Sequence, residues 1–171
     1  MDSYRKHVNS RFRRHLRDTQ ELQKWSVDCP QDFWIDLYQY LELTPALAPS
    51  IRIAYDESAS MSSNPEFFKE HLLNYAENVL FAHPDPDAVA LIGLREDTDL
   101  DKEDGEKVTW KELRERVRVV SSALRRSGIH KGDRVAALVS NSVYAVILFI
   151  ATSTLGAIFT SINPDLGVEA S

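Results

Sequence analysis

Residues 108–162 read VTWKELRERVRVVSSALRRSGIHKGDRVAALVSNSVYAVILFIATSTLGAIFTSI, and the fold class is decided there. Thr109 stands three residues before Glu112, the spacing of a capping box, so a helix opens at this point. Trp110, Leu113, Val117, Val120 and Leu124 then fall on one face at helical period. Gly128 occupies the place of a left-handed residue just past the helix end. Arg134 to Val139 (RVAALV) is a short apolar run of buried-strand character. Ser142 or Asn141 can cap the apolar helix 143–155, Gly156 ends it, and Ala157 to Ile162 reads as another strand. Upstream, Ala88 to Leu94 (AVALIGL) has the same buried-strand grammar. The order β-α-β-α-β predicts a parallel sheet with crossover helices.

Ahead of this unit the pattern is helical. Tyr4, Val8, Phe12 and Leu16 lie four apart beside a stripe of Arg5, Arg13 and Arg17, which predicts an amphipathic basic helix over Tyr4 to Arg17. Its apolar edge is narrow and lacks aromatic alternation, so packing against the body accounts for it better than a nucleic-acid or membrane arm. Pro30 suits a first helical position, and Phe33, Trp34, Leu37, Tyr38 and Leu41 follow at helical spacing, which makes Trp34 a packing residue. Pro45 and Pro49 end that element, and Ile51 to Tyr55 reads as extended. Short helices are expected from Asn64 to Phe68 and from Leu73 to Leu80. His83-Pro84-Asp85-Pro86-Asp87 is a boundary, because prolines flanked by acids interrupt regular structure. The expected organisation is α/β: an α-helical region over 1–85, then an incomplete parallel β-α-β unit over 86–171.

The 171 residues are 43% hydrophobic and 27% charged, the composition of a globular protein with a core. A net charge of −6 argues against nucleic acid as a partner, although the charge is unevenly spread. Residues 96–106 (EDTDLDKEDGE) are strongly acidic and demand a solvated loop, whereas 111–134 is basic. The lone Cys29 excludes an internal disulfide and a multi-cysteine zinc site, and fits a reducing, cytoplasmic compartment. No charge occurs from Val135 to Pro164, with Arg125, Arg126, Lys131 and Arg134 on the N-terminal flank, which raises a membrane-anchored reading over 135–164. Polar residues divide that run into strand and helix lengths, so no membrane span is expected.

Catalytic constellations are absent from these residues. There is no phosphate-loop motif, no G-x-G-x-x-G, no H-E-x-x-H and no nucleophile elbow. The glycines of Gly128-Ile129-His130-Lys131-Gly132-Asp133-Arg134 connect a helix to a strand, the reverse of the order a phosphate cradle needs. His71 and His83 have no third ligand at metal spacing. The dense carboxylates fall in the acidic loop, where solvent prevents useful pKa shifts.

Five stretches in order, HVNSRF, KWSVDCPQDFW, LNYAENVLF, VTWKELRERVRVVSSALRRSGIHKGDRVAALVSNS and ATSTLGAIFTSINPDLGV, resemble the acyl-adenylate-forming ligases. WSV with the following DFW, LNYAEN and the closing N-P-D-L-G-V resemble the acetoacetyl-CoA synthetases in particular, and GDRVAALVSNS and TWKEL are shared more widely. The resemblance implies the N-terminal portion of an acetoacetate–CoA ligase: a helical region over 1–85 and the start of an AMP-binding domain over 86–171. It implies acetoacetate, ATP and CoA as substrates, with Mg²⁺, in a full-length enzyme. The family's phosphate loop, adenine and ribose motifs and catalytic lysine would all follow Ser171, so these residues are expected to bind no cofactor and to be inactive alone. Truncation at both ends is the accompanying expectation.

One turn approaches a ligand in that resemblance. Asn163, Pro164 and Asp165 correspond to the place where related enzymes carry Phe-Gly-Gly near the CoA adenine, and are expected to be CoA-proximal. The loss of two glycines there weakens close backbone approach, and a plain strand-to-helix turn is the other reading. No metal ligand and no catalytic residue is expected within the 171 residues. The competing functional class is a non-catalytic interaction protein, or shortened paralogue, that associates through an exposed sheet edge.

Overall fold

The computed structural model describes residues 1–69, 71–94 and 105–162. It divides into two compact units, 1–73 and 74–171.

In the first unit, α1 (Asp2–Arg11), α2 (Thr19–Asp28) and α3 (Pro30–Tyr40) enclose Tyr4, Val8, Leu22 and Trp25. Asp18 caps α2 by accepting the Glu21 amide at 2.9 Å, and Pro30 occupies the first turn of α3. Helix α3 serves two clusters. Phe33, Leu37 and Tyr40 pack toward the α1–α2 group, while Tyr38 joins Leu47, Ala54 and Phe68 in another. Trp34 is 37% exposed and meets Phe67 edge-on at 5.1 Å.

Two expectations about this unit are corrected. Helix α1 stops at Arg11 instead of Arg17, with Arg13 at φ 52°. Asn9 explains the early stop: its amide side chain donates to the Leu16 carbonyl (3.0 Å) and accepts the Leu16 amide (2.8 Å), folding the chain back. No α-helix forms over Asn64 to Phe68. A 3₁₀ turn occupies Met61–Ser63 instead, and Asn64 and Phe68 take positive φ, so helical geometry cannot propagate between them.

The second unit contains α4 (Tyr75–Phe81), β1 (Val89–Gly93), β2 (Glu106–Thr109), α5 (Trp110–Arg126), β3 (Arg134–Leu138), α6 (Val143–Thr154) and β4 (Ile158–Ile162). The capping box at Thr109 forms in both directions: the Thr109 hydroxyl accepts the Glu112 amide (3.2 Å), and Glu112 accepts the Thr109 amide (2.8 Å). Those bonds hold the Glu112 carboxyl below its ordinary range. Gly128 sits at φ 89°, as its place past α5 requires. Leu113 and Val117 of α5 meet Val143, Ile147, Ile150 and Ala151 of α6, and Ala76, Leu80 and Val108 complete the core.

Strands β3 and β4 are parallel, with Arg134 opposite Ile158 and Leu138 opposite Ile162, joined by α6. This is the expected β-α-β order, but the buried character expected of Arg134 to Val139 is not found: Leu138 is 63% exposed, and Ile158 opposite Arg134 is 52% exposed. The first strand does not extend this unit. Strand β1 pairs antiparallel with β2, with Val89 opposite Thr109 and a bulge before Leu91, in a separate two-stranded sheet. A strand buried on both faces was expected there, yet Val89 and Ile92 are 49% and 58% exposed. The acidic loop expected over 96–106 lies outside the described residues as far as position 104, and Glu106 already belongs to β2. Among the described residues, no helix is long and apolar enough to cross a membrane; α6 has 12 residues.

Candidate functional site

In a parallel β-α-β unit, ligands bind at the carboxyl ends of the strands. Here that edge carries the ends of β3 and β4 and the connection Val139 to Ser142 that leads into α6. Ser142 is the N-cap residue in extended conformation, but its hydroxyl makes no capping bond to the first amides of α6. A cavity of about 190 Å³ opens beside them, walled by Leu91, Ile92, Gly93 and Leu94 on one side and Asn141, Ser142, Val143 and Val146 on the other. Gly93 permits this closeness. A Cβ there would lie 2.8 Å from Val143 Cγ2, shorter than carbon atoms tolerate.

The chemistry that the described residues bring to this edge is positioning. Among the described residues its polar groups are an amide, a hydroxyl and helix amides, with no titratable side chain to move a proton. Asn163, Pro164 and Asp165, the residues singled out as CoA-proximal, lie outside the described residues.

Asn74 organises the other end of α6. Its Oδ1 accepts the Glu77 amide at 3.1 Å and so caps α4, while its Nδ2 donates to the Thr154 carbonyl at 3.2 Å. One side chain thus terminates two helices. Arg114 of α5 closes α4 from the far end, donating to the Leu80 (2.8 Å) and His83 (2.9 Å) carbonyls. His83 stacks on Trp110 at 5.7 Å, which accounts for it without a metal. His71 lies 2.9 Å from the Pro45 carbonyl. No group of three or more metal-ligating side chains occurs among the described residues.

Two features were not read from the sequence. Asp36 on α3 is 1% exposed, and its Oδ1 lies 2.9 Å from Arg11 Nε and 3.1 Å from His7 Nε2, both on α1. Tyr4, one turn before His7, is buried next to it and donates to the Phe33 carbonyl at 3.4 Å. Burial first, and then the Asp36 charge, push the Tyr4 hydroxyl well above its ordinary pKa. The spacing of Tyr4, His7 and Arg11 was the available signal, since it puts one polar stripe on a helix that also has an apolar one. The second feature is a cavity of about 670 Å³ in the first unit, with Ile51, Ile53, Ala54, Tyr55 and Phe68 in its wall. It forms where irregular chain at 50–56 faces 65–69, and no periodicity marks such a place.

Comparison with known proteins places these observations in context. Residues 80–171 match the family of AMP-binding enzymes. An acetoacetyl-CoA synthetase of Danio rerio is 39% identical over 168 residues, covering 98% of this chain and 24% of that protein. One from Macaca fascicularis is 38% identical over 173 residues, covering 99% and 24%. The solved acetoacetyl-CoA synthetase of Streptomyces lividans superposes with a TM-score of 0.73 at 29% identity, over 88% of this chain and 22% of that one. The chain therefore spans about a quarter of the length of the curated relatives it matches.

Proposed function

Since the chain belongs to the AMP-binding enzyme family, we propose that it is the N-terminal part of an acetoacetate–CoA ligase, with a helical region over 1–85 and the opening of the adenylation domain over 86–171. The observation that carries this reading is the reach of the likeness. It extends through the first unit, upstream of the AMP-binding match, in relatives named for acetoacetyl-CoA and in a solved structure so named. In the proposed reaction the acetoacetate carboxylate attacks the α-phosphorus of ATP, giving acetoacetyl-adenylate and pyrophosphate. The CoA thiol then displaces AMP to form the thioester. Mg²⁺ would offset the phosphate charge in the first step.

The residues described here supply scaffold to that chemistry. The β3–α6–β4 unit presents a carboxyl edge, Gly93 lets β1 approach the start of α6, and Asn74 and Arg114 hold the helices around it. Asn163, Pro164 and Asp165 follow β4 directly in sequence, and in this reading they contact CoA. The 171 residues alone are inactive, since their sequence contains none of the motifs that grip a triphosphate. The lone cysteine supports a cytoplasmic setting.

ATP–pyrophosphate exchange tests this directly. Acetoacetate-dependent exchange is expected from a polypeptide extended to the length of the relatives and not from residues 1–171. Exchange by the 171 residues, or its absence from the extended chain, would refute the proposal. The non-catalytic alternative draws on the exposed apolar residues Leu138 (63%) and Ile158 (52%) of the β3–β4 pair. Sedimentation of the 171-residue chain as a stable monomer across micromolar concentrations would remove its self-associating form.

A further inference from the structure

The arginines of α5 fall into two groups. Along its middle they are engaged: Arg114 with two carbonyls, Arg116 with Glu106 at 2.8 Å, Arg118 with Glu115 at 2.7 Å. At its end they are not. Arg125 and Arg126 in the last turn, Lys131 in the following turn and Arg134 at the start of β3 are all exposed, and among the described residues none has an ion-pair partner. The only acid in this stretch, Asp133, is used locally, its Oδ2 accepting the His130 amide at 2.7 Å.

The helix dipole accounts for cations at 125 and 126, but Lys131 and Arg134 lie beyond the helix. The turn is rigidly held. Gly132 donates to the Gly156 carbonyl (3.0 Å) and Ile158 to the Asp133 carbonyl (2.7 Å), which ties it to the turn before β4. These cations therefore cluster at the amino edge of the β3–β4 pair, opposite the carboxyl edge where the fold binds small ligands.

We propose that this amino edge, formed by Arg125, Arg126, Lys131 and Arg134, is a docking surface for an acidic polypeptide segment of a partner protein. Charge complementarity carries the choice of partner. At physiological salt, charges interact over about 8 Å, so a short acidic segment feels the local cations and little of the −6 net charge. A membrane surface or a nucleic acid extends far enough to meet the acidic remainder. Among the described residues the patch carries no Phe, Tyr or Trp on which bases stack, and its exposed apolar neighbour, Ile158, is a single side chain opposite Arg134, too little apolar surface to enter a bilayer. Arginine forks pair carboxylates in two-point fashion, which suits a run of Asp and Glu.

The test uses the 171-residue chain and a fluorescent peptide of alternating Asp and Glu, followed by anisotropy at about 50 mM and about 300 mM salt. Binding is expected at low salt and should weaken at high salt. Reversing the four cations to Glu should weaken it by at least about tenfold. Arg125→Gln with Arg126→Gln should act in the same direction by about threefold, and serves if the fourfold reversal disturbs folding. Reversal of Arg13 and Arg14, exposed on the first unit, is the control and should leave affinity unchanged. An equal loss in the control, no loss on reversing the patch, or tighter binding of phosphatidylserine vesicles or duplex DNA through the same four residues would each overturn the proposal.

Discussion

Asn74→Ala removes two interactions that a single side chain supplies to different helices. Loss of the cap on α4, where Oδ1 receives the Glu77 amide at 3.1 Å, costs about 1 kcal/mol. Loss of the donation from Nδ2 to the Thr154 carbonyl at 3.2 Å leaves a half-buried acceptor at the end of α6 and costs about 1 kcal/mol more. The second contact of Nδ2, to the Ser153 carbonyl at 3.5 Å, is too long to add much. The sum is about 2 kcal/mol, or about a thirtyfold rise in opening of the second unit. Asn74→Asp separates the two parts. A carboxylate keeps the cap but cannot donate, and it faces the negative end of the α6 dipole, so that helix loses protection while the start of α4 keeps it. Hydrogen exchange read by mass spectrometry over residues 75–81 and 143–154 resolves both. Faster exchange confined to 75–81 in the alanine variant, or wild-type protection over 143–154 in the aspartate variant, would refute the view that Asn74 joins the two helices.

Gly93→Ala should destabilise the second unit by about 1–3 kcal/mol, because its Cβ would meet Val143 Cγ2 at 2.8 Å and the start of α6 must shift; a wild-type thermal midpoint would show that this approach is not tight. Tyr4 gives a pH dependence. Its folded pKa is raised by burial, so the contribution is complete below the unfolded value near 10 and is lost as pH rises above it. Urea midpoints of the wild type should therefore fall between about pH 9 and 11 more steeply than those of Tyr4→Phe, and equal slopes would exclude Tyr4 as the source.

Features carried by neighbouring residues were legible in the chain. Thr109 and Glu112 make their reciprocal bonds, Pro30 opens α3, and Gly128 takes the left-handed turn, because each depends on atoms within a few residues. The β3–α6–β4 order was legible for the same reason, since two short apolar runs on either side of an apolar helix, joined by short turns, leave few arrangements. Elsewhere a distant partner intervened. Hydrophobic spacing continued the first helix to Arg17, but Asn9 bonds Leu16 through both atoms of its amide group and the helix yields. Val89 to Gly93 has the residues of a central strand, yet antiparallel pairing with Glu106 to Thr109 engages it, and side-chain alternation does not name the neighbour. Thr109 was seen as the cap of α5, and its second role at the end of β2 was hidden behind the first.

The candidate site divides along the same line. Its place follows from order alone, because two parallel strands joined by a helix must share a carboxyl edge and the β3–α6 connection must cross it. Its shape does not, since the wall opposite Asn141 and Ser142 comes from β1, about fifty residues earlier, and depends on a methyl that Gly93 lacks. Asp36 makes the contrast sharpest. As a letter it is one acid on an amphipathic helix, indistinguishable from Asp32 a turn before; packed, it is buried and meets His7 and Arg11, while Asp32 stays exposed. Helical period and capping act through backbone geometry that every chain shares, so they can be written in local sequence. Burial of a particular carboxylate depends on which face of α3 meets α1, and that is settled by the fit of Tyr4, Val8, Leu22 and Trp25 around it.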